Sequence, residues 1–193
     1  MNDAQREPKG AGKSSFELID ANILTDALPV KPGSAVLDLA CGTGAYSLLL
    51  SEMVGENGLV YAVDLWEKGL LTLEDQIEAN GIKNIMPLLA DATKKIEIDD
   101  DSVDLCLMAT VLHDFEEAGQ AGAVLKQVQT LLKPNGRLAV IEFKKIDGPP
   151  GPPISIRLSD DEADTLVSGY GLKKLKTIDL GNYNYLTLYR AEE

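Results

Sequence analysis

Apolar and polar positions along this chain alternate between short apolar runs and longer segments with helical spacing. The apolar runs are typical of buried strands and cover Ala35–Ala40, Leu59–Asp64, Ile85–Ala90, Val103–Ala109 and Arg137–Phe143. Helical spacing covers Ala45–Met53, Glu67–Asn80 and Glu117–Leu132. Strand, turn and helix therefore repeat in order, which predicts an α/β fold with a mostly parallel sheet covered on both faces.

The two ends of the chain depart from this repeat. Ser14–Leu28 has one apolar face and is predicted to form an N-terminal lid helix after a flexible segment, residues 1–13. At the other end, Leu172–Asp179 and Tyr185–Tyr189 are predicted strands with a connection too short for a parallel crossover. We therefore expect a single domain over residues 14–193, with a Rossmann-like, doubly wound sheet and a C-terminal antiparallel hairpin.

Two connections near the predicted sheet carry further signals. Asp91–Asp101 is short and acidic, so the crossover there should be reduced to a turn or two. The proline-rich stretch 147–153 has no helix potential and predicts a stiff loop. Ser159 and Glu162 form a capping-box pattern that opens a helix ending near Ser168.

Charge and composition limit the classes of molecule that this protein is expected to bind. The chain has 193 residues, 45% of them hydrophobic, and a net charge of −13. Such a field repels phosphate backbones, so we expect a small-molecule partner and no nucleic acid. No apolar run is long enough to span a bilayer, and the polar N-terminus is no secretory signal, so we expect a cytoplasmic protein.

Cysteine and histidine are scarce. Cys41 and Cys106 are the two cysteines, and both are predicted to be small apolar fillers in or beside buried strands. With a single histidine in the chain, a Cys/His zinc site lacks ligands, so no metal is expected.

Candidate chemistry lies at the ends of three consecutive predicted strands. Gly42 and Gly44 follow the first strand, Asp64 ends the second, and Asp91-Ala92 follows the third. Ligands of open α/β sheets bind at these carboxyl ends, where a carboxylate such as Asp64 can accept both hydroxyls of a ribose. Each residue taken singly could instead be a helix cap or an ordinary turn residue.

These segments, together with the turn Leu131-Leu-Lys-Pro-Asn-Gly-Arg-Leu138, resemble the class I S-adenosylmethionine-dependent methyltransferases. The likeness runs from Ala35 to the C-terminus and is greatest to the small-molecule branch that includes quinone-biosynthesis C-methyltransferases. It implies S-adenosylmethionine as the cofactor. In that family's arrangement the cofactor site would comprise Asp38 at the methionine amine, Gly42 and Gly44 beneath the cofactor, Asp64 at the ribose, Leu65 on the adenine, and Asp91 with Ala92 at the adenine amine.

Two positions depart from related patterns. Ala40 replaces the usual first glycine of the family's turn, and its small side chain predicts tolerance. Ser47 stands where dinucleotide-binding folds have a third glycine, which disfavours NAD and leaves an NAD-dependent oxidoreductase as a weaker alternative. The stretch from Gly10 to Ser14 echoes a phosphate loop, but Glu7 stands where that loop needs glycine.

Candidate residues for binding the methyl acceptor are found mainly at and beyond the ends of the fourth and fifth strands. His113 follows the fourth strand and suits a general base near neutrality, with Asp114 to orient it; alternatively it caps the next helix or packs on the cofactor's methionine tail. Candidate substrate contacts are Phe16, Glu142, Arg157 and Tyr183, with Lys144 and Tyr185 as further candidates, unless these are solvated surface side chains.

The sequence therefore predicts methyl transfer to a small molecule. A regulatory protein that binds the cofactor without catalysis is the main alternative. The acceptor atom stays open, as does the choice between a monomer and a homodimer.

Overall fold

The computed structural model describes residues 10–192, and its strands form one sheet in the order β3-β2-β1-β4-β5-β7-β6. The strands are β1 (Ala35–Leu39), β2 (Leu59–Asp64), β3 (Ile85–Leu89), β4 (Val103–Ala109), β5 (Leu132–Phe143), β6 (Leu172–Asp179) and β7 (Asn184–Ala191). The first five strands are parallel to one another, whereas β7 is antiparallel to both β5 and β6. This confirms the predicted mostly parallel sheet with an antiparallel C-terminal hairpin.

Helices cover both faces of the sheet, because successive strand residues point to opposite sides. The helices are α1 (Ala21–Ala27), α2 (Ala45–Val54), α3 (Glu67–Asn80), α4 (Leu112–Glu117), α5 (Ala121–Leu131) and α6 (Asp160–Ser168). In β1, Leu37 and Leu39 pack in the cluster under α4, α5 and α6, whereas Val36 packs under α1, α2 and α3. The apolar strand runs are therefore buried from two sides, as a doubly wound fold requires.

The predicted N-terminal helix over Ser14–Leu28 is wrong. Residues Phe16–Leu18 form a single 3-10 turn, and α1 begins only after Asp20. The Asp20 side chain accepts hydrogen bonds from the backbone N–H groups of Asn22 and Ile23, so this residue acts as an N-cap. An aspartate with that geometry starts a helix rather than continuing one, which the apolar spacing alone did not reveal.

The predicted helix over Glu117–Leu132 is present as α5 but begins only at Ala121, and a separate helix that was not predicted, α4, ends at Glu117. The chain leaves helical geometry after α4, and Gly119 has a φ of 68° before α5 begins. After α5, β5 starts at once, but its pairing with β4 skips from Leu132 to Arg137. The predicted turn before the fifth strand is therefore a bulge inside β5, with Asn135 in the left-handed region.

The remaining connections follow expectation. Residues 91–102 contain turns and no helix. Ser159 and Glu162 form the capping box at the start of α6. No helix within residues 10–192 is both long and apolar enough to cross a membrane.

Candidate active site

A cavity of about 720 Å³ opens at the carboxyl ends of β1, β2 and β4. This is the size and place at which open α/β sheets hold small ligands. It is lined by the N-terminal segment Gly10–Ser15 with Leu18, by Ala40, Gly42, Asp64 and Trp66, by Ala109–Val111, His113 and Asp114, and by Phe143 and Pro150–Pro153. The cavity therefore lies between the strand ends and two loops that cover them.

Asp64 ends β2 and lies in the cavity wall. Its Oδ2 accepts the backbone N–H of Gly42 at 2.7 Å, and its Oδ1 accepts that of Trp66 at 2.7 Å. Burial raises the pKa of Asp64, and the backbone hydrogen bonds of Trp66, Gly42 and Leu65 oppose that shift. Each carboxylate oxygen keeps a second acceptor position, so the side chain is held in place yet can still accept a diol.

Asp38 lies inside β1, on the side of the sheet that faces α2. Ser47 of α2 donates its hydroxyl to Oδ2 of Asp38 at 2.5 Å. Burial raises the pKa of Asp38 to about 7, while the Ser47 bond opposes the shift and the charge of Asp64 adds to it. A smaller cavity of about 40 Å³ reaches Asp38 beneath residues 12–15. A buried carboxylate of this kind is stabilised by a cation brought next to it.

The two glycines after β1 do different work. Gly42 lines both cavities with a φ of 58°, and a Cβ added there would meet no atom within 4 Å. A Cβ on Gly44 would lie 2.4 Å from the Leu73 side chain, and Gly44 lines neither cavity. Only Gly42 therefore borders the ligand space, and Gly44 permits close packing of α2 against α3.

Ala40 lines both cavities with a φ of 61°. The small side chain fits the space, as expected, but the backbone adopts a left-handed conformation that costs an alanine roughly 1–2 kcal/mol. The glycine usual at this position would avoid that cost.

The residues predicted to contact the adenine lie outside the cavity lining. Leu65 is 48% exposed and lies outside the cavity lining, whereas its neighbour Trp66 forms part of the wall. The Oδ1 of Asp91 accepts from the hydroxyl and backbone of Thr93, and neither Asp91 nor Ala92 lines the cavity. Asp91 thus acts as a turn residue in this conformation, one of the two readings its sequence position allowed.

His113 lies at the start of α4, in the wall of the larger cavity, with 3% of its surface exposed. Its Nδ1 is 2.7 Å from Oε2 of Glu142, and its backbone N–H donates to Oε1 of the same carboxylate at 3.1 Å. Asp114 approaches the other ring nitrogen, Nε2, at 3.6 Å. Asp114 was expected to orient the ring, but the carboxylate in hydrogen-bond contact with Nδ1 is that of Glu142. Glu142 is fully buried in β5 and does not line the cavity.

Arg157 is buried and cannot reach a ligand, contrary to its predicted substrate role. Its guanidinium donates to the carbonyls of Pro152, Lys144, Ile146, Gly148 and Pro150 at 2.7–3.1 Å. These bonds use all five of its donors and fasten the loop that carries the cavity wall Pro150–Pro153. The proline loop is therefore stiffened from within by one side chain.

The other proposed substrate contacts lie outside the cavity lining. Phe16 packs edge-on against Tyr46, with ring centroids 5.1 Å apart. Tyr183 uses its carbonyl to accept from the backbone of Lys144, whose ammonium bonds to Asp179. Tyr185 donates its hydroxyl to the carbonyl of Leu158. The side chains of Phe16, Lys144 and Tyr185 thus make structural contacts, whereas the bond of Tyr183 is through its backbone, so a substrate role for its side chain stays a prediction.

The N-terminal segment covers the cavity and is fixed to its floor. Residues 10–13 form a turn closed by the Lys13 N–H to Gly10 carbonyl bond, while residues 1–9 of the predicted flexible segment lie outside the described part of the chain. The buried Ser15 hydroxyl is 2.8 Å from that of Tyr46 and 3.2 Å from that of Thr110. Residues 12–15 of this segment line the small cavity at Asp38.

The thiols take no part in this chemistry. Cys41 and Cys106 are free and buried, as predicted, and burial raises the pKa of both. Within residues 10–192, no group of three or more His, Cys, Asp or Glu side chains is arranged to hold a metal ion.

Comparison with known proteins decides the family. A sequence model of the ubiE/COQ5 methyltransferase family matches residues 18–151. The chain belongs to the ubiE/COQ5 methyltransferase family. The match begins after the segment Gly10–Ser15, so the covering of the cavity lies outside the part that the family model describes.

Individual relatives agree with this family. A ubiquinone/menaquinone biosynthesis C-methyltransferase of Ectopseudomonas mendocina is 32% identical over 81% of this chain, and a demethylmenaquinone methyltransferase of Lactobacillus johnsonii is 29% identical over 83%. The chain spans 58% and 62% of the length of these two relatives. The crystal structure of an S-adenosylmethionine-dependent methyltransferase from Aquifex aeolicus aligns over 99% of this chain and 100% of its own, with 29% identity and a TM-score of 0.85.

Three functional features escaped the sequence. The sequence pointed to Leu65 and not to Trp66, because it does not show which of two adjacent side chains after a strand faces the cavity. Ser47 was weighed only as a missing glycine and not as the partner of Asp38. The role of Glu142 had a usable signal, since a glutamate within the apolar run of β5 must be buried and needs a partner.

Proposed function

We propose that this chain transfers a methyl group from S-adenosylmethionine to a small molecule that carries an ionisable hydroxyl group, of the quinol or phenol class. The pair of buried carboxylates at adjacent strand ends carries this proposal, because Asp38 and Asp64 suit the cationic amine and the ribose diol of one extended cofactor. Family membership and the names of the relatives support the same reaction and the quinol-type acceptor.

The chain's own residues fit the cofactor at a further point. Nε1 of Trp66 is buried and has no hydrogen-bond partner among the described residues, although it belongs to a residue of the cavity wall. A buried donor without a partner is unfavourable, and a ligand that accepts from it would remove that penalty. Trp66 also offers a flat aromatic face, which suits an adenine ring better than the exposed Leu65 does.

One part of the cavity lining suits an aromatic acceptor. Phe143 and Pro150–Pro153 form an apolar part of the wall, and His113 provides a polar group in the same cavity. Bound S-adenosylmethionine supplies an electrophilic methyl group on a cationic sulfur. The protein must therefore position an electron-rich acceptor and take up its proton, and His113 is the cavity residue suited to the second task.

Binding and transfer are tested in two steps. Trp66 is the single tryptophan of the chain, so its fluorescence should change when S-adenosylmethionine or its demethylated product is added. Methyl-labelled cofactor is then incubated with reduced quinols, phenols, thiols and amines, and we expect label in the hydroxyl-bearing compounds. Unchanged fluorescence, confirmed by calorimetry without binding heat at millimolar cofactor, would refute the cofactor site. Binding without transfer to any acceptor would instead favour the regulatory alternative.

A further inference from the structure

The interaction of His113 with Glu142 has a defined chemical consequence. Glu142 contacts His113 twice, through the backbone N–H at Oε1 and through the ring Nδ1 at Oε2. An ionised carboxylate only accepts hydrogen bonds, so a neutral His113 can keep the 2.7 Å contact only with its proton on Nδ1. The other nitrogen, Nε2, then carries a lone pair.

The surroundings of the two ring nitrogens differ sharply. Glu142 lies on the Nδ1 side, is 0% exposed and belongs to β5 beneath the cavity. On the Nε2 side lies Asp114, a residue of the cavity wall, with its Oδ2 at 3.6 Å. Nδ1 therefore points into the fold and Nε2 toward the side from which an acceptor approaches.

Among residues 10–192, other titratable groups share the cavity or the sheet with this pair. Lys13 and Asp64 line the same cavity as His113, and Tyr185 lies opposite Glu142 in the pairing of β5 with β7. The Tyr185 hydroxyl donates to the carbonyl of Leu158 and is thus directed away from the carboxylate. Glu142 is accordingly the carboxylate in hydrogen-bond contact with the imidazole.

We propose that Glu142 is a positioning residue, which fixes His113 as the Nδ1-protonated tautomer so that Nε2 accepts the proton of the methyl acceptor. The catalytic part of this proposal rests on the proposed methyltransferase function. With S-adenosylmethionine bound, the acceptor hydroxyl would give its proton to Nε2, and an electron pair of the resulting oxyanion, on oxygen or on a conjugated ring carbon, would bond to the methyl carbon while the methyl–sulfur pair leaves with the sulfur. A ring carbon methylated in this way would then lose its own proton to solvent as the ring becomes aromatic again. The Glu142 carboxylate then stabilises the imidazolium that has formed, as a buried carboxylate does beside other catalytic histidines.

Glu142→Gln tests this proposal most directly. The substitution keeps the size of the side chain, removes its charge, and replaces one of the two equivalent carboxylate oxygens by an NH₂ group. The backbone N–H of His113 donates to Oε1 at 3.1 Å, whereas that of Phe143 is 3.4 Å from Oε2, so the stronger bond favours the amide oxygen at the Oε1 position and the amide NH₂ near Nδ1. That NH₂ can only donate, so Nδ1 must become the acceptor and the proton must move to Nε2. The variant should therefore hold the wrong tautomer for a base.

The single histidine allows this to be measured without knowing the acceptor. In protein labelled with ¹⁵N-histidine, nitrogen chemical shifts at neutral pH should show a protonated Nδ1 and an unprotonated Nε2. Glu142→Gln should exchange the two, whereas Asp114→Asn, a matched loss of charge beside the other nitrogen, should not. A protonated Nε2 in the unaltered protein would overturn the proposal whatever the variants do.

Activity provides a second, separate readout. With a quinol acceptor, Glu142→Gln should lower kcat by about 100-fold or more while cofactor binding followed by Trp66 fluorescence is unchanged. The acidic limb of its pH–rate profile should move to lower pH, because the imidazolium has lost its carboxylate. Unchanged kcat and profile in a folded variant would overturn the catalytic role of Glu142. If no compound is methylated but the tautomer is as proposed, the methyltransferase function fails and the positioning assignment stands.

Discussion

Ser47 donates its hydroxyl to the buried carboxylate of Asp38 across the junction of β1 and α2. Ser47 occupies the position at which dinucleotide-binding folds have a third glycine. Asp38 is the residue expected to bind the amine of the cofactor. Because the carboxylate is otherwise desolvated, its ionised form is costly in the cofactor-free protein. The cofactor end of the site is thus built at the expense of stability, which can be measured.

Asp38→Asn should stabilise the cofactor-free protein in a pH-dependent way. The pKa of Asp38 is 3.8 in its ordinary state and about 7 in the fold, so between these values the folded state binds more protons than the unfolded state. Stability contributed at this site therefore falls as pH rises from about 4 to 7, by about 4 kcal/mol if the whole shift is realised. Asparagine lacks this titration but can still accept from Ser47.

Urea unfolding of both proteins between pH 4 and 8 measures the difference. The stability advantage of Asp38→Asn should grow through this window and become constant above pH 7. Glu52→Gln, a loss of charge at an exposed position of α2, serves as the control and should show no such growth. A pH-independent difference between Asp38→Asn and the unaltered protein would contradict the prediction.

Ala40→Gly should leave stability unchanged or increase it by up to about 1 kcal/mol. The left-handed backbone at Ala40 is strained for alanine and not for glycine, whereas the greater unfolded-state freedom of glycine opposes the gain. Ala123→Gly in α5, where the backbone is helical, should instead destabilise by about 0.5–1 kcal/mol. The test compares the two free energies of unfolding, and equal losses would show that residue 40 is unstrained.

Features that depend on the local sequence pattern could be predicted, whereas contacts that depend on long-range packing could not. The succession of strands and helices follows from periodicity, and the positions of Asp38 and Asp64 follow from the rule that ligands bind where parallel strands end. The contact of Glu142 with His113 could not be found in this way, because it joins residues 29 positions apart whose meeting depends on how β5 lies beside β4. Arg157 failed for a similar reason, since its five acceptors exist only once the loop is folded.

Arg157→Lys should loosen the proline wall of the cavity. A lysine has three donors on one atom and cannot replace a planar fork that bonds to five carbonyls. We expect a loss of about 2–4 kcal/mol in the free energy of unfolding, because buried carbonyls lose their partner. Amide hydrogen exchange should also become faster in residues 144–152.

Arg190→Lys on β7 provides the control for this exchange of side chains, because Arg190 is only half-buried and lies away from the loop. Amide hydrogen exchange in residues 144–152 of the Arg190→Lys variant should be as fast as in the unaltered protein. If Arg157→Lys leaves these rates and the stability unchanged, the loop is stiff because of its prolines alone.

Ser15→Ala should speed entry and exit of the cofactor. The Ser15 hydroxyl ties the covering segment to Tyr46 and Thr110, directly above the small cavity that leads to Asp38. Residues 12–15 line this cavity of about 40 Å³, so movement of these residues would widen the path by which the methionine part of a cofactor reaches Asp38. Removing the tie lowers the cost of that movement by about 1 kcal/mol, which corresponds to a roughly fivefold faster association rate. Stopped-flow fluorescence of Trp66 measures the rate, and Ser168→Ala, at an exposed position at the end of α6 outside both cavity linings, should leave it unchanged. Equal rates for all three proteins would mean that the cofactor enters without displacing this segment.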